Sequence, residues 1–307
     1  MPLRKAKYGP VQRALVSAVA AGAGDVHISR AMTTLTLALI IGSASFFAGL
    51  LGSLTGLGGG IIIVPLLTLG FHVNFRYAVG ASIISIIATS SGAASAYVRE
   101  GFTNVRVGIL LEVATTLGAL IGAAVTGLIS ESALQILFGL VLLFTAYRSM
   151  KPRAEHLILT TPDKWSERFR LDSTYPTTAG MQPYSVQHVP AGFGLMFVAG
   201  ILSALLGIGS GIIKVLAMDQ LMRLPFKVST TTSNFMIGVT AAASAGVYLH
   251  YGYIDPTLAF PVMLGVLGGA LVGARVLARS KTQWLRPIFT AIVVVTAAEM
   301  LYKGARG

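Results

Sequence analysis

The chain has 307 residues, of which 54% are hydrophobic and only 11% charged, with a formal net charge of +12 and no cysteine. A soluble domain carries roughly 25% charged residues, so this composition excludes an ordinary water-soluble globular fold, and the missing thiols exclude disulfides, Cys-ligated metal and a thiol nucleophile. The basic residues lie mostly between apolar runs and near the N-terminus, where membrane orientation accounts for them, so nucleic acid is not expected as a partner.

Residues 1–31 form a basic leader carrying Arg4, Lys5, Lys7, Arg13 and Arg30. Asp25 and His27 interrupt its weakly apolar stretch, which reads as interfacial or loosely ordered rather than as a cleaved signal. A membrane span needs about 20 apolar residues, and stretches at 33–56, 76–98, 107–128 and 133–149 meet or approach that length. A shorter apolar piece at 60–71 follows Gly56-Leu57-Gly58-Gly59-Gly60 and cannot cross alone. Between Met150 and Pro190 the hydropathy collapses and Pro152, Pro162, Pro176 and Pro183 mark a linker, read as cytoplasmic. Within it Trp165 to Leu171 is expected either as a short amphipathic helix on the membrane or as a solvated loop. Four further spans follow at 191–206, 228–249, 257–278 and 284–302, with a short piece at 211–222 after Gly207-Ile208-Gly209-Ser210-Gly211.

These eight segments fall into a first repeat at 32–149 and a second at 191–303, related by a shift of 151 positions. The shift lays the two glycine clusters on each other, and also Gly118-Ala119-Leu120-Ile121-Gly122-Ala123 on Gly269-Ala270-Leu271-Val272-Gly273-Ala274, Tyr97 on Tyr248, Gly101 on Gly252 and Phe138 on Phe289. Equivalent loops carry opposite charge bias. Arg99 and Arg106 stand against His250 and Asp255, and one loop later Glu131 stands against Arg275, Arg279, Lys281 and Arg286. Under the positive-inside rule equivalent loops then face opposite sides, so the repeats are inverted. Inversion needs an odd number of crossings per half, which is met if 33–71 and 191–222 are hairpins that break at the glycines and return to the side they entered. The expected fold is therefore an all-α integral membrane protein of two inverted repeats, about four helical segments each, with the first segment of each broken at a Gly-rich motif.

Internal repeats with a glycine break inside an apolar segment point to a secondary transporter. Glycine lets the backbone leave the helix and leaves room for a ligand, and the helical half that follows starts with unpaired N–H groups and the positive end of its dipole. Gly58, Gly59 and Gly60 in one repeat and Gly209, Ser210 and Gly211 in the other are thus candidate anion ligands. Gly118-x-x-x-Gly122 and Gly269-x-x-x-Gly273 are read instead as close helix packing. Lys214 interrupts an apolar half-segment where the first half has Ile63. A Lys at the centre of a span costs about 2.5–3.5 kcal/mol, so it should face an anionic substrate, unless it snorkels to the surface or pairs with Asp219.

The polar run Ser229-Thr230-Thr231-Thr232-Ser233-Asn234 opens the sixth span. Ser233, its equivalent Ser82, and Asn234 are candidate donors to an anion, while the threonines serve equally well for hydrogen bonding between helices. Arg76 and Lys227 hold equivalent places and would draw anions to the entrances or anchor at the lipid interface. Glu112, Asp219 and Glu299 are acids that would carry a coupling proton, though each lies near enough to an interface for a structural pairing; nothing marks a sodium site. The five scattered His lack ligand spacing, so neither metal nor cofactor is expected.

The run Gly56-Leu57-Gly58-Gly59-Gly60-Ile61-Ile62-Ile63-Val64-Pro65, then Ala78-Val79-Gly80-Ala81-Ser82, then Gly118 to Ala123, with their second-half copies, resembles the sulfite exporter TauE/SafE family of bacterial and archaeal permeases over about residues 35 to 303. The resemblance implies export or permeation of small anions such as sulfite, sulfoacetate and related organosulfur compounds across the cytoplasmic membrane. The second half departs from the family pattern at Ser210, Lys214 and Leu216, where a glycine, an apolar residue and a proline are usual. A passive anion channel would look alike in sequence. An intramembrane hydrolase using Ser210 with His250 as base is disfavoured, because His250 falls at the end of a span, and no enzyme activity is expected. The partners expected are the bilayer and a small anion, with proton or sodium coupling and homo-oligomerisation left open.

Overall fold

The computed structural model describes residues 34–55, 60–99, 101–150, 163–177, 180–279 and 285–306. The leader at 1–31 and the residues Gly56, Leu57, Gly58 and Gly59 lie outside this set, as do Lys151, Arg153 and Lys281. Each of the eight predicted spans is a helix. In chain order α1 is Thr34–Thr55, α2 Gly60–Pro65, α3 Phe75–Arg99, α4 Val105–Val125, α5 Glu131–Met150, α6 Lys164–Phe169, α7 Val189–Leu206, α8 Gly211–Leu216, α9 Phe226–His250, α10 Pro256–Arg279 and α11 Leu285–Arg306. Stretches within α4, α5, α7 and α10 are long and apolar enough to cross a membrane by length and composition. On α4 the side chains of Ile109, Val113, Leu117 and Ile121 recur every fourth residue and are exposed, whereas Leu111, Ala114, Thr115 and Gly118 are buried. An apolar face left open in this way is what a helix presents to lipid.

The two segments that carry the glycine motifs end alike. The short helices α2 and α8 each continue as one π-helical stretch, Leu66–Gly70 and Ala217–Leu221. Each stretch closes with a left-handed residue, His72 at φ 52° and Arg223 at φ 59°, followed by a bond from Val73 N to Leu67 O of 3.0 Å and from Leu224 N to Met218 O of 2.9 Å. All of these positions are 151 apart. Pro65 is not the cause of the π geometry, because Leu216 occupies the same place in the second half and the same stretch forms.

The compact units of the molecule are not its sequence halves. One unit gathers the chain up to Ser85, Leu128–Met150 and everything from Tyr248 onward; the other gathers Ile86–Gly127 and Lys151–Val247. In the first unit α1 packs along α10 and α5 along α11; in the second α4 packs along α7. The first helix of each repeat therefore packs on the third helix of the other repeat.

Small residues make this approach possible. A Cβ at Gly49 would fall within 3 Å of the Val266 backbone, and one at Gly269 within 3 Å of the Phe46 carbonyl; in the second unit Gly200 meets Thr115 and Gly118 meets Phe197 in the same way. These contacts map onto each other under the 151 shift. The packing role read from Gly118-x-x-x-Gly122 is thus observed, with Gly122 against the Ile201 backbone.

The linker is more ordered than its sequence suggests. Helix α6 covers most of the stretch expected as a surface helix, and Ser173–Thr177 (β1) pairs antiparallel with Gly180–Tyr184 (β2). Trp165 and Phe169 are exposed and stacked at 6.0 Å. Leu171, Tyr184 and Val186 join a buried cluster with Val107 and Leu111 of α4, Met196 of α7, Met218 and Met222 after α8, and Met236 of α9. Asn104 fixes the linker to the helices. Its amide donates to Leu171 O at 2.9 Å and to the Tyr184 hydroxyl at 2.8 Å, while its side-chain oxygen caps α4 at Val107 N. Burial pushes the Tyr184 phenol up to about 12.

Candidate functional site

The second glycine motif is a genuine interruption. Helix α7 stops at Leu206 and α8 starts at Gly211, and between them Gly207, Gly209 and Ser210 take φ of 63°, 68° and 44°. Three left-handed residues in four positions cannot continue a right-handed helix. At Gly209 a Cβ would also press on the Ile237 side chain at 3.0 Å. Ser210 is 3% exposed, and its hydroxyl has no hydrogen-bond partner among the described residues. Ser233 on α9 donates to Gly211 O at 3.3 Å, which brings two of the candidate ligands together beside the break. Asn234, the next residue of α9, is half-buried.

In the first motif, Gly60 is the buried first residue of α2 and Ser82 is fully buried on α3; Gly58 and Gly59 are outside the described residues. Gly60 and Ser82 belong to the first unit, whereas Gly209, Ser210, Gly211, Lys214, Ser233 and Asn234 belong to the second.

Lys214 neither snorkels nor bonds to Asp219. It is 0% exposed, and its ammonium donates to the Thr240 hydroxyl at 2.5 Å. Thr240 in turn donates to Glu112 Oε1 at 2.8 Å, and Thr116 donates to the same oxygen at 3.1 Å. Glu112, seven residues into α4, is 8% exposed, so it lies within the packed body of its unit. The chain of groups thus runs from α8 through α9 to α4. Sequence reasoning named both charges and a structural pairing for Glu112, but missed Thr240. One available signal was the repeat itself, since Thr240 falls on Thr89 while Lys214 and Glu112 fall on the apolar Ile63 and Met263.

The polar run on α9 divides by role. Thr231 donates to Phe102 O at 3.0 Å, and Thr232 accepts from Asn104 N at 3.0 Å, so these threonines hold the loop before α4. Arg76 and Lys227 each lie over an aromatic ring, Tyr253 at 5.7 Å and Phe102 at 5.2 Å, a pairing that also repeats at the 151 shift. Arg76 further donates to Ile129 O at 2.8 Å. Both cations are therefore held at the starts of α3 and α9. Ser210 is buried, and His250 is exposed at the end of α9.

The model of the family described as sulfite exporter TauE/SafE matches residues 41–300. Among curated proteins, YunE of Bacillus subtilis, named a probable membrane transporter protein, is 28% identical over 264 residues, covering 84% of this chain and 94% of its own length. YdhB of the same organism, named likewise, is 27% identical over 231 residues, covering 75% and 86%. A probable membrane transporter protein of Xylella fastidiosa is 25% identical over 275 residues, covering 89% and 97%. No solved structure gives a significant match.

Proposed function

The chain belongs to the TauE/SafE sulfite exporter family of multi-pass membrane transporters, and from that premise we propose that it is a secondary transporter of small anions across the cytoplasmic membrane. Sulfite, sulfoacetate and related organosulfur anions are its substrate class, and alternating access, driven by two inverted repeats, is its mode of transport. The anion is held beside the interruption between α7 and α8: by backbone N–H groups around Gly209 to Gly211, by the hydroxyls of Ser210 and Ser233, by Asn234, and by the charge of Lys214; Gly58 to Gly60 and Ser82 play the equivalent part in the first repeat. Arg76 and Lys227 add positive potential at the entrances.

The observation that carries this reading is the break at Gly207 to Ser210, where an apolar hairpin gives up helical bonds at buried positions and leaves the Ser210 hydroxyl without a partner among the described residues. An unpaired buried hydroxyl is destabilising in a chain whose other hydroxyls are largely satisfied, and a ligand that accepts its proton recovers the loss.

The test is transport by the purified protein in proteoliposomes, with sulfite, methanesulfonate, sulfoacetate and acetate as substrates. Saturable movement of the sulfur anions, lost in the Lys214→Met variant, is expected. Flux that follows the anion gradient without saturation would instead make the protein a channel, and no flux of any of the four would end the anion reading.

A further inference from the structure

The charged pair of the second unit has no counterpart in the first. The shift that lays Thr240 on Thr89 puts Lys214 on Ile63 and Glu112 on Met263, so one set of equivalent positions carries both charges and the other neither. The short helix and its π stretch do not need them in order to form, since α2 and Leu66–Gly70 are built the same way around a fully buried Ile63.

Nor do the two charges satisfy each other as a closed ion pair. Lysine is a donor only and an ionised carboxylate an acceptor only, so the Thr240 oxygen receives Lys214 and its single proton goes to Glu112 Oε1 at 2.8 Å in preference to the Met236 carbonyl at 3.1 Å. Oε1 is thereby engaged twice, by Thr240 and Thr116. Oε2 is buried and accepts nothing among the described residues. A carboxylate oxygen without a donor is costly to keep ionised away from water, and it is the atom open to a proton.

We propose that Glu112 Oε2 is the proton-binding site that couples transport, so that each singly charged anion crosses together with one proton. The inference rests on the anion-transport reading above. Without substrate, the ammonium of Lys214 is balanced by the carboxylate of Glu112. With substrate, a proton from the aqueous phase forms an O–H bond at Oε2, Glu112 becomes neutral, and the charge of Lys214 is balanced by the anion. Both states are neutral. The two mixed states, anion without proton and proton without anion, leave a net charge buried and are disfavoured. Anion and proton therefore raise each other's affinity by the same factor, which is the thermodynamic content of coupling. On release the O–H bond breaks, the proton leaves with the anion, and the original pair is restored. Thr240 acts as a positioning residue that keeps Oε1 occupied throughout.

Other charges around the carboxyl are sparse. Helix α7, packed along α4, has no ionisable side chain; α4 itself adds only Arg106 near its start; α9 has Lys227 at its start and Tyr248 and His250 at its end; and the stretch after α8 adds Asp219. Lys214 is the cation that reaches Glu112 through a shared hydroxyl.

The experiment uses the full chain in proteoliposomes, with an imposed pH gradient and the membrane potential clamped at zero. Wild-type protein is expected to accumulate methanesulfonate about tenfold per pH unit, the limit for one proton per singly charged anion. The Glu112→Gln variant keeps acceptance from Thr240 and is expected to equilibrate the anion without accumulating it. Accumulation by that variant equal to wild type, or wild-type transport indifferent to the pH gradient, overturns the proposal while leaving anion transport standing. Absence of any anion flux in wild type overturns the transport reading itself. If Glu112→Gln does not fold, wild-type protein in detergent with a pH-indicator dye decides. Uptake of close to one proton per methanesulfonate bound supports the proposal, and no uptake refutes it.

Discussion

Ser210 stands in left-handed backbone at φ 44°, a conformation that costs an L-residue about 1–2 kcal/mol and glycine almost nothing. Its equivalent in the first repeat is Gly59. Serine here carries strain together with a hydroxyl that has no partner among the described residues. The Ser210→Gly variant is accordingly expected to be more stable, by about 1 kcal/mol, with weaker anion binding. Thermal unfolding in detergent, measured with and without sulfite, reads both effects, and a loss of stability in the variant would contradict the strain assigned to this position. Much about single residues was legible in the sequence. Glycines at 207 and 209 announce the break because few other residues tolerate positive φ, and Lys214 stands out as a charge in an apolar run. Its partners were not legible, since Glu112 lies 102 positions earlier in the other repeat and Thr240 looks like any threonine of a membrane helix.

At the scale of elements, the glycine faces decide which helices meet. A Cβ at Gly200 would fall within 3 Å of the Thr115 carbonyl, and backbone cannot step aside as a flexible side chain can. Gly200→Val is expected to force α7 away from α4 and to cost several kcal/mol, beyond the roughly 1–3 kcal/mol of ordinary overpacking. A sharp drop in monodisperse protein on gel filtration should follow. Substitution to Val at Gly194, where nothing lies within 4 Å of the added carbon, is the matched control and should leave the yield unchanged. Helices were easy to find from sequence because long apolar runs in lipid have no other way to satisfy their backbone. The hairpin of the linker was not, because Ser173–Thr177 and Gly180–Tyr184 carry prolines and no clean alternation. They are ordered instead by what Tyr184 and Asn104 do at a distance.

For the whole molecule, the instructive fact is that the duplicated halves do not fold as two bodies. Helix α1 is completed by α10 and helix α7 by α4, so each half supplies the surface that the other lacks. Fragments ending or starting at the linker, residues 1–150 and 151–307, are expected to insert in membranes but to give no stable particle when expressed separately. Expressed together, they should associate and recover transport; a half that is stable and monodisperse alone would contradict the interleaving. The repeat was visible in the sequence from its fixed shift, because duplication preserves spacing. The exchange of partners was not, because a glycine stripe shows that something approaches closely without showing what.

The same interleaving sets a schedule for biosynthesis. The partner of α1 begins about 200 residues after α1 ends, which at about 5–20 residues per second is about 10–40 s of translation. During that interval the grooved side of the first helix, with Gly42, Gly49 and Ser45, is in the bilayer with no mate. A newborn chain therefore waits longest for the contact made by its earliest helix, and whatever shields that surface meanwhile, lipid or insertion machinery, governs how much of the protein matures.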